Sequence, residues 1–289
     1  MQQLNFTDHR RELLQNRYVY SVVSRRAGGL SIGINLNPDK TCNFDCPYCQ
    51  VDRNVAGGKR NVALELLRKE LEYLLSLFQR GELWNIPPFD TAKIEHRKLV
   101  DISFSGDGEP TICPEFVEAI TLVLEIKEKF ELENIQLNLF SNATMFQKDK
   151  VRNGLQKLWD GGGTIWAKLD AGSAEWYQRV DASKVPFSRI LENIEWAARQ
   201  APIVLQCMFH CFISGERPTP EEINLWASRI DNIFAEGGDI SWIQVYTTAR
   251  KPAQETVLPL DRRALEEIAN AARKIVEKWG KNTKVTVSA

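Results

Sequence analysis

The chain has 289 residues, 43% of them hydrophobic and 26% charged, with a formal net charge of −1. That is ample material for a core, in one large domain or two small ones, and the near-neutral balance gives no global electrostatic case for a nucleic-acid partner. Residues 1–10 lack the apolar core of a signal peptide and no apolar run approaches membrane-spanning length, so a cytoplasmic protein with no membrane role and six reduced cysteines is expected.

A strand-like run followed by a helix-like run recurs along the chain. Strands are predicted at 31–36, 99–105, 135–140, 164–169, 203–210 and 241–247. Helices follow at 62–79, 115–130, 147–159, 174–179 with 187–199, 221–234 and 262–279. Six strand–helix units in series predict a parallel sheet with right-handed crossovers. Residues 81–98, with Pro87 and Pro88, read as an irregular excursion, and 284–287 as a short terminal strand. No linker divides the chain, so residues 1–289 are expected to form one domain with its core at about 20–280.

The predicted strands alternate. Ile32 and Ile34 interleave with Gly33 and Asn35, Ile102 and Phe104 with Ser103 and Ser105, Leu137 and Leu139 with Asn138. Ala167 interleaves with Lys168, Leu205 and Cys207 with Gln206 and Met208, and Ile243 and Val245 with Gln244 and Tyr246. Because successive side chains point to opposite faces, one face is aliphatic and the other polar. A flat parallel sheet covered on both faces reads as continuous apolar runs instead. A sheet curled around a polar lumen fits, which predicts an α/β fold of the open (β/α)6 partial TIM-barrel kind with short terminal additions. An antiparallel sheet with one wet face is the alternative, and the intervening helices oppose it.

Cys42, Cys46 and Cys49 follow the first predicted strand in the loop Thr-Cys-Asn-Phe-Asp-Cys-Pro-Tyr-Cys-Gln. Three thiolates within eight residues are too close for ordinary disulfide pairing and suit one metal group. A zinc knuckle would want a fourth protein ligand; His9 and His96 are distant in sequence, and no second Cys-x-x-Cys is near. Pro38 keeps the loop from becoming helix. In barrels of this type the loops after strands form the active face. At the end of the second strand, Ser105-Gly106-Asp107-Gly108-Glu109-Pro110-Thr111 places glycines where backbone can approach a ligand closely, with a carboxylate for an ammonium. Alone, that run is equally an ordinary strand-to-helix turn.

The Cys42-x3-Cys46-x2-Cys49 loop, with Tyr48 before the last cysteine, resembles the radical SAM superfamily. The resemblance implies that the three cysteines bind a [4Fe–4S] cluster whose fourth iron is chelated by S-adenosylmethionine. It implies that Gly106, Asp107, Gly108 and Glu109 stand for the Gly-Gly-Glu-Pro element that holds the methionine amino group, with Asp107 an insertion. Ser141 and Asn142 would meet the ribose, and Lys168 and Asp170 the carboxylate and ribose. Gln206, Met208 and His210 share the inner parity of the fifth predicted strand, and Gln244 and Tyr246 that of the sixth. Gln206, Tyr246 and Tyr48 are candidate cofactor contacts, and His210 is the candidate for proton chemistry.

By the same resemblance, reductive cleavage would give methionine and a 5′-deoxyadenosyl radical that takes hydrogen from substrate, with flavodoxin or ferredoxin as the external one-electron donor. Asn35-Leu36-Asn37-Pro38, the Gly-Asp-Gly-Glu-Pro form and Lys168-Leu169-Asp170-Ala171-Gly172 most resemble the branch related to the wyosine-forming tRNA enzymes. A small polar or nucleoside-like substrate is favoured by the polar lumen. A tRNA base-modifying enzyme and a non-catalytic iron–sulfur electron carrier are the alternatives. Cys207 and Cys211 fall on the aliphatic parity as small buried hydrophobes, Cys113 follows the glycine turn, and their spacing excludes a second cluster. The Arg25–Arg26 and Lys59–Arg60 pairs read as solvated surface.

Overall fold

Burial follows the alternation in the sequence. The structure is a computed structural model that describes residues 16–24, 28–250 and 252–289; His9 and the Arg25–Arg26 pair lie outside the described residues. The chain falls into two compact units, one of residues 1–41, 57–139 and 149–164 and the other of residues 42–56, 140–148 and 165–289.

In the first unit, β1 (Val19–Ser24) pairs antiparallel with β2 (Gly29–Ile34). β2 runs parallel with β3 (Leu99–Phe104), and β3 with β4 (Gln136–Ser141). The helices are α1 (Leu64–Gln79), α2 (Phe116–Lys129) and α3 (Asp149–Asp160), packed α1 on α2 and α2 on α3. Ile32, Ile34, Ile102, Phe104, Leu137 and Leu139 are fully buried, each worth roughly 1.5–3 kcal/mol of apolar transfer. The opposite parity carries a hydrogen-bonded polar row. Ser31 and Ser103 both donate to Asp101 Oδ1 at 2.6 Å, and Asn138 donates to Ser103 at 3.4 Å.

β1 has no counterpart in the predicted elements. Its entry is fixed by Glu70 of α1, a buried carboxylate that accepts from the backbone N–H of Arg17 and Tyr18 at 2.8 Å and of Val19 at 3.0 Å. Residues 81–98 are irregular as expected, with three short 3₁₀ turns and a cis Pro87–Pro88 peptide.

In the second unit, β5 (Thr164–Lys168) runs parallel with β6 (Ile203–Met208), β6 with β8 (Ile240–Tyr246), and β8 with β10 (Lys284–Ser288). A separate antiparallel pair joins β7 (His210–Phe212) to β9 (Val257–Pro259). The helices are α4 (Ala174–Val180), α5 (Phe187–Gln200), α6 (Pro220–Ala235) and α7 (Arg262–Lys278). Ser173, Thr219 and Asp261 cap α4, α6 and α7, each accepting from the backbone N–H three residues on. The register stacks Lys168, Gln206 and Gln244 in one row and Met208 with Tyr246 in the next.

The strand that falls furthest short of its apolar pattern is β6, by two residues. β6 stops at Met208, whose N–H donates to the Asp170 carboxylate at 2.8 Å. A side chain there takes the donor that a neighbouring strand would have used, and Phe209 has no regular structure. His210 and Cys211 therefore belong to β7 and do not continue the parity of β6. Cys207 is fully buried on the aliphatic face as expected, while Cys211 is half-buried. Lys59 and Arg60 are exposed.

Candidate functional site

The cysteine loop is held in place from several elements of the second unit. Asp45 N–H donates to the Asp181 carbonyl at 2.9 Å, and Ala253 N–H to the Cys49 carbonyl at 2.9 Å. The side chain of Asn43 accepts from Asn142 at 3.0 Å and from Thr144 at 2.9 Å, and its carbonyl accepts from Ser183 at 2.6 Å. A loop without regular structure is thereby fixed by ordered partners.

Each sulfur has a polar neighbour. Cys42 Sγ receives the Phe44 N–H at 3.5 Å and Asn142 Nδ2 at 3.7 Å. Cys49 Sγ receives Arg53 Nη1 at 3.4 Å. Cys46 is buried and its thiol donates to Asp181 Oδ1 at 3.5 Å. Burial first, and then the Asp181 charge, push the Cys46 thiol well above its usual range.

Behind the loop lies a buried ionic cluster. Tyr48 donates to Asp170 and also to Asp181, the latter at 3.1 Å. Lys168 Nζ stands 3.0 Å from Asp170 and 5.1 Å from the centre of the Tyr48 ring. Burial works against the Lys168 charge, but Asp170, with Tyr246, Cys46 and Asp181, holds its pKa well above the usual lysine range. Burial, then the Asp170 charge, raises Asp181 well above the usual carboxylate range. Burial pushes Tyr246 up to about 12. Gln206 donates to Gln244 at 3.3 Å.

His210 is almost fully enclosed, 1% exposed, with its ring 5.4 Å from Tyr48 and 4.9 Å from Phe212. Neither ring nitrogen has a hydrogen-bond partner among the described residues. Burial lowers its pKa to about 4, so the imidazole is neutral at pH 7.

The glycine turn belongs to the first unit. Glu109 N–H donates to the Thr41 carbonyl at 3.1 Å. A Cβ on Gly108 would lie 2.0 Å from that carbonyl oxygen, and one on Gly106 would lie 2.5 Å from Asn35 Oδ1, so only glycine permits this approach. The inserted Asp107 is tied to Asn35, whose Nδ2 donates to Asp107 Oδ2 at 2.6 Å and whose Oδ1 accepts the Asp107 N–H at 3.1 Å. Buried Glu109 uses Oε1 to accept from Thr111 N–H at 3.1 Å and Thr111 Oγ1 at 2.5 Å. Cys113 is buried in the same unit beside Glu115, and burial raises its thiol to about 12.

The second unit thus brings together Cys42, Cys46, Cys49, Tyr48, Lys168, Asp170, Tyr246, Gln206 and His210. Ser141 is buried and accepts the Ala143 N–H at 3.0 Å, while Asn142 is spent on the cysteine loop. Asp181 was not foreseen; it sits in a turn, outside any motif, 135 residues from the thiol it touches. Among the described residues, no three His, Cys, Asp or Glu side chains gather to hold one metal ion. An iron–sulfur cluster makes no such demand, because each cysteine binds a different iron. The donor set fits such a cluster: three cysteines in one loop, two of their sulfurs already receiving N–H groups.

No family model matches the chain. A UPF0026 protein of Helicobacter pylori (strain J99) is 25% identical over 241 residues, which cover 81% of this chain and 68% of that protein. The GTPase Obg of Brachyspira hyodysenteriae is 25% identical over 193 residues, 66% of this chain but a quarter of Obg. The present chain contains no Gly-x-x-x-x-Gly-Lys-Ser/Thr phosphate loop to accompany that second likeness. Among solved structures, Streptococcus suis SuiB bound to S-adenosylmethionine superposes with a TM-score of 0.55 at 13% identity, covering 92% of this chain and about half (49%) of SuiB. Among the described residues, no helix is long and apolar enough to cross a membrane. The chain has a mixed α/β fold with parallel strands, and that fold is the one found in radical SAM enzymes, the superfamily its cysteine loop resembles.

Proposed function

We propose that the chain is a radical SAM enzyme acting on a polar small-molecule or nucleoside-like substrate, with its strands forming the open (β/α)6 barrel of that superfamily. The observation that carries this reading is the cysteine loop, whose sulfurs are set among N–H donors in front of the buried Lys168–Asp170–Tyr48 cluster. Cys42, Cys46 and Cys49 would hold a [4Fe–4S] cluster, and Gly106 to Glu109 would receive the methionine end of S-adenosylmethionine. Such a cluster supplies one-electron reduction of the bound sulfonium, drawing its electron from a small external carrier of the flavodoxin or ferredoxin kind.

The remaining chemistry belongs to the chain. Lys168 keeps its positive charge and, with Asp170, offers a fixed ion pair to the carboxylate and hydroxyl groups of a ligand. Gln206, Gln244 and Tyr246 line the same inner face with neutral donors and acceptors. His210, neutral and without a partner among the described residues, offers a hydrogen bond to an uncharged polar group. A cytoplasmic, reducing setting follows from the need for free thiols.

The test is anaerobic reconstitution with iron and sulfide. Loaded protein given dithionite and S-adenosylmethionine should release 5′-deoxyadenosine, and C46A should lose both iron and cleavage. A loaded cluster whose EPR signal does not respond to S-adenosylmethionine would leave the electron-carrier reading in its place.

A further inference from the structure

We infer that the charge of Arg53 raises the reduction potential of the cluster held by Cys42, Cys46 and Cys49, an inference that rests on the function proposed above. Arg53 lies four residues beyond Cys49 and points its Nη1 at the Cys49 sulfur, 3.4 Å away. The other end of its guanidinium is not committed: Nε is buried without a partner among the described residues. Among the described residues its acidic neighbour within ion-pair range is Asp45, at 4.0 Å, and that carboxylate is 66% exposed, so water screens most of its pull.

All three cysteines act on the Arg53 charge. The nearest is Cys49, whose sulfur receives Nη1 directly, and Cys42 and Cys46 belong to the same short loop. A guanidinium held 3.4 Å from a ligand sulfur stabilises added negative charge on that sulfur and its metal. Net charge and hydrogen bonds to sulfur are two of the quantities that set iron–sulfur potentials. When the cluster takes up one electron, no bond at Arg53 forms or breaks; the guanidinium opposes the added charge electrostatically. The residue also lines a cavity of about 130 Å³ with Cys46, Cys49, Asn54 and Gln254. Arg53 is thus a tuning residue.

The experiment is a mediator-based potentiometric titration followed by EPR, on reconstituted full-length wild type, R53Q and R53K, with iron content measured alongside. For R53Q the one-electron equilibrium should shift toward the oxidised form by about tenfold, equivalent to 59 mV at the midpoint. R53K, which keeps the charge, should stay within about twofold of wild type by the same conversion. An unchanged midpoint in fully loaded R53Q would overturn the inference, as would equal shifts in both variants. Iron lost from R53Q would also overturn it, making Arg53 a residue that holds the loop. Wild type that binds no cluster would instead remove the functional reading beneath it, and the iron measurement separates that result from the others.

Discussion

Tyr48 and Asp170 are joined by a hydrogen bond across 122 residues of chain, and it is the tie between the cysteine loop and the end of β5. The same hydroxyl reaches Asp181, so a single phenol serves two buried carboxylates. Y48F would keep the ring and remove the donor from both. Asp170 keeps Lys168 and the Met208 N–H, so we expect a loss of roughly 1–3 kcal/mol, the range for losing a hydrogen bond to a charged group without orphaning it. Urea unfolding of the apo protein measures it; a change below about 0.5 kcal/mol, the usual size for surface substitutions, would deny the tie its structural weight.

The glycine turn offers a graded comparison. D107A removes the Asn35 amide's partner at a partly solvated site, and should cost about 1 kcal/mol. G108A should cost more, because its methyl meets the Thr41 carbonyl and pushes that acceptor away from the Glu109 N–H. Thermal unfolding ranks the two. If the turn also receives S-adenosylmethionine, G108A should weaken its binding to the reconstituted protein more than D107A does.

Acid should find His210. Its pKa of about 4 in the folded chain lies below the roughly 6.5 of a free imidazole, so the unfolded chain takes up the proton first. The stabilisation from keeping this ring neutral is complete above about pH 6.5 and drains away as the pH falls toward 4. The difference in unfolding free energy between pH 7 and pH 4 should therefore be smaller in H210F than in wild type, by up to about 3 kcal/mol. Parallel pH profiles for the two proteins would argue against a neutral, enclosed imidazole.

Glu70 is a single carboxylate serving three backbone donors at the start of β1. E70A should cost roughly 2–3 kcal/mol, in the range for hydrogen bonds to a charged group, and E70Q less. Hydrogen exchange at the amides of residues 17–19 should accelerate before the rest of the sheet responds.

The elements with strong periodicity were legible in the sequence because burial enforces the period. Each of the predicted helices forms, with ends displaced by at most two residues. The six parallel strands form too, since Ile32, Ile102, Leu137, Ala167, Leu205 and Ile243 all have to face a core. The failures have a common cause. The apolar alternation through Phe209 predicts that β6 continues to His210, whereas the break is made by Asp170, two residues beyond the end of β5. Asp181 was invisible for the same reason: its role depends on a thiol 135 residues away. β1 did leave a local trace, a β-branched and aromatic run at Val-Tyr-Ser-Val-Val, but it runs antiparallel and breaks the strand–helix rhythm used to find the others. The cysteine loop was readable because cluster chemistry packs its ligands into one short stretch.

The antiparallel pairing of β1 with β2 has a consequence for how copies of this protein behave in concentrated solution. Without β1, the whole length of Gly29–Ile34 would present unpaired backbone groups, flanked by fully buried isoleucines, to any passing strand. β1 covers that edge, and Glu70 anchors the cover at its first residues. A protein weakened at Glu70 should therefore lose solubility before it loses its core, and its aggregates should be seeded through β2.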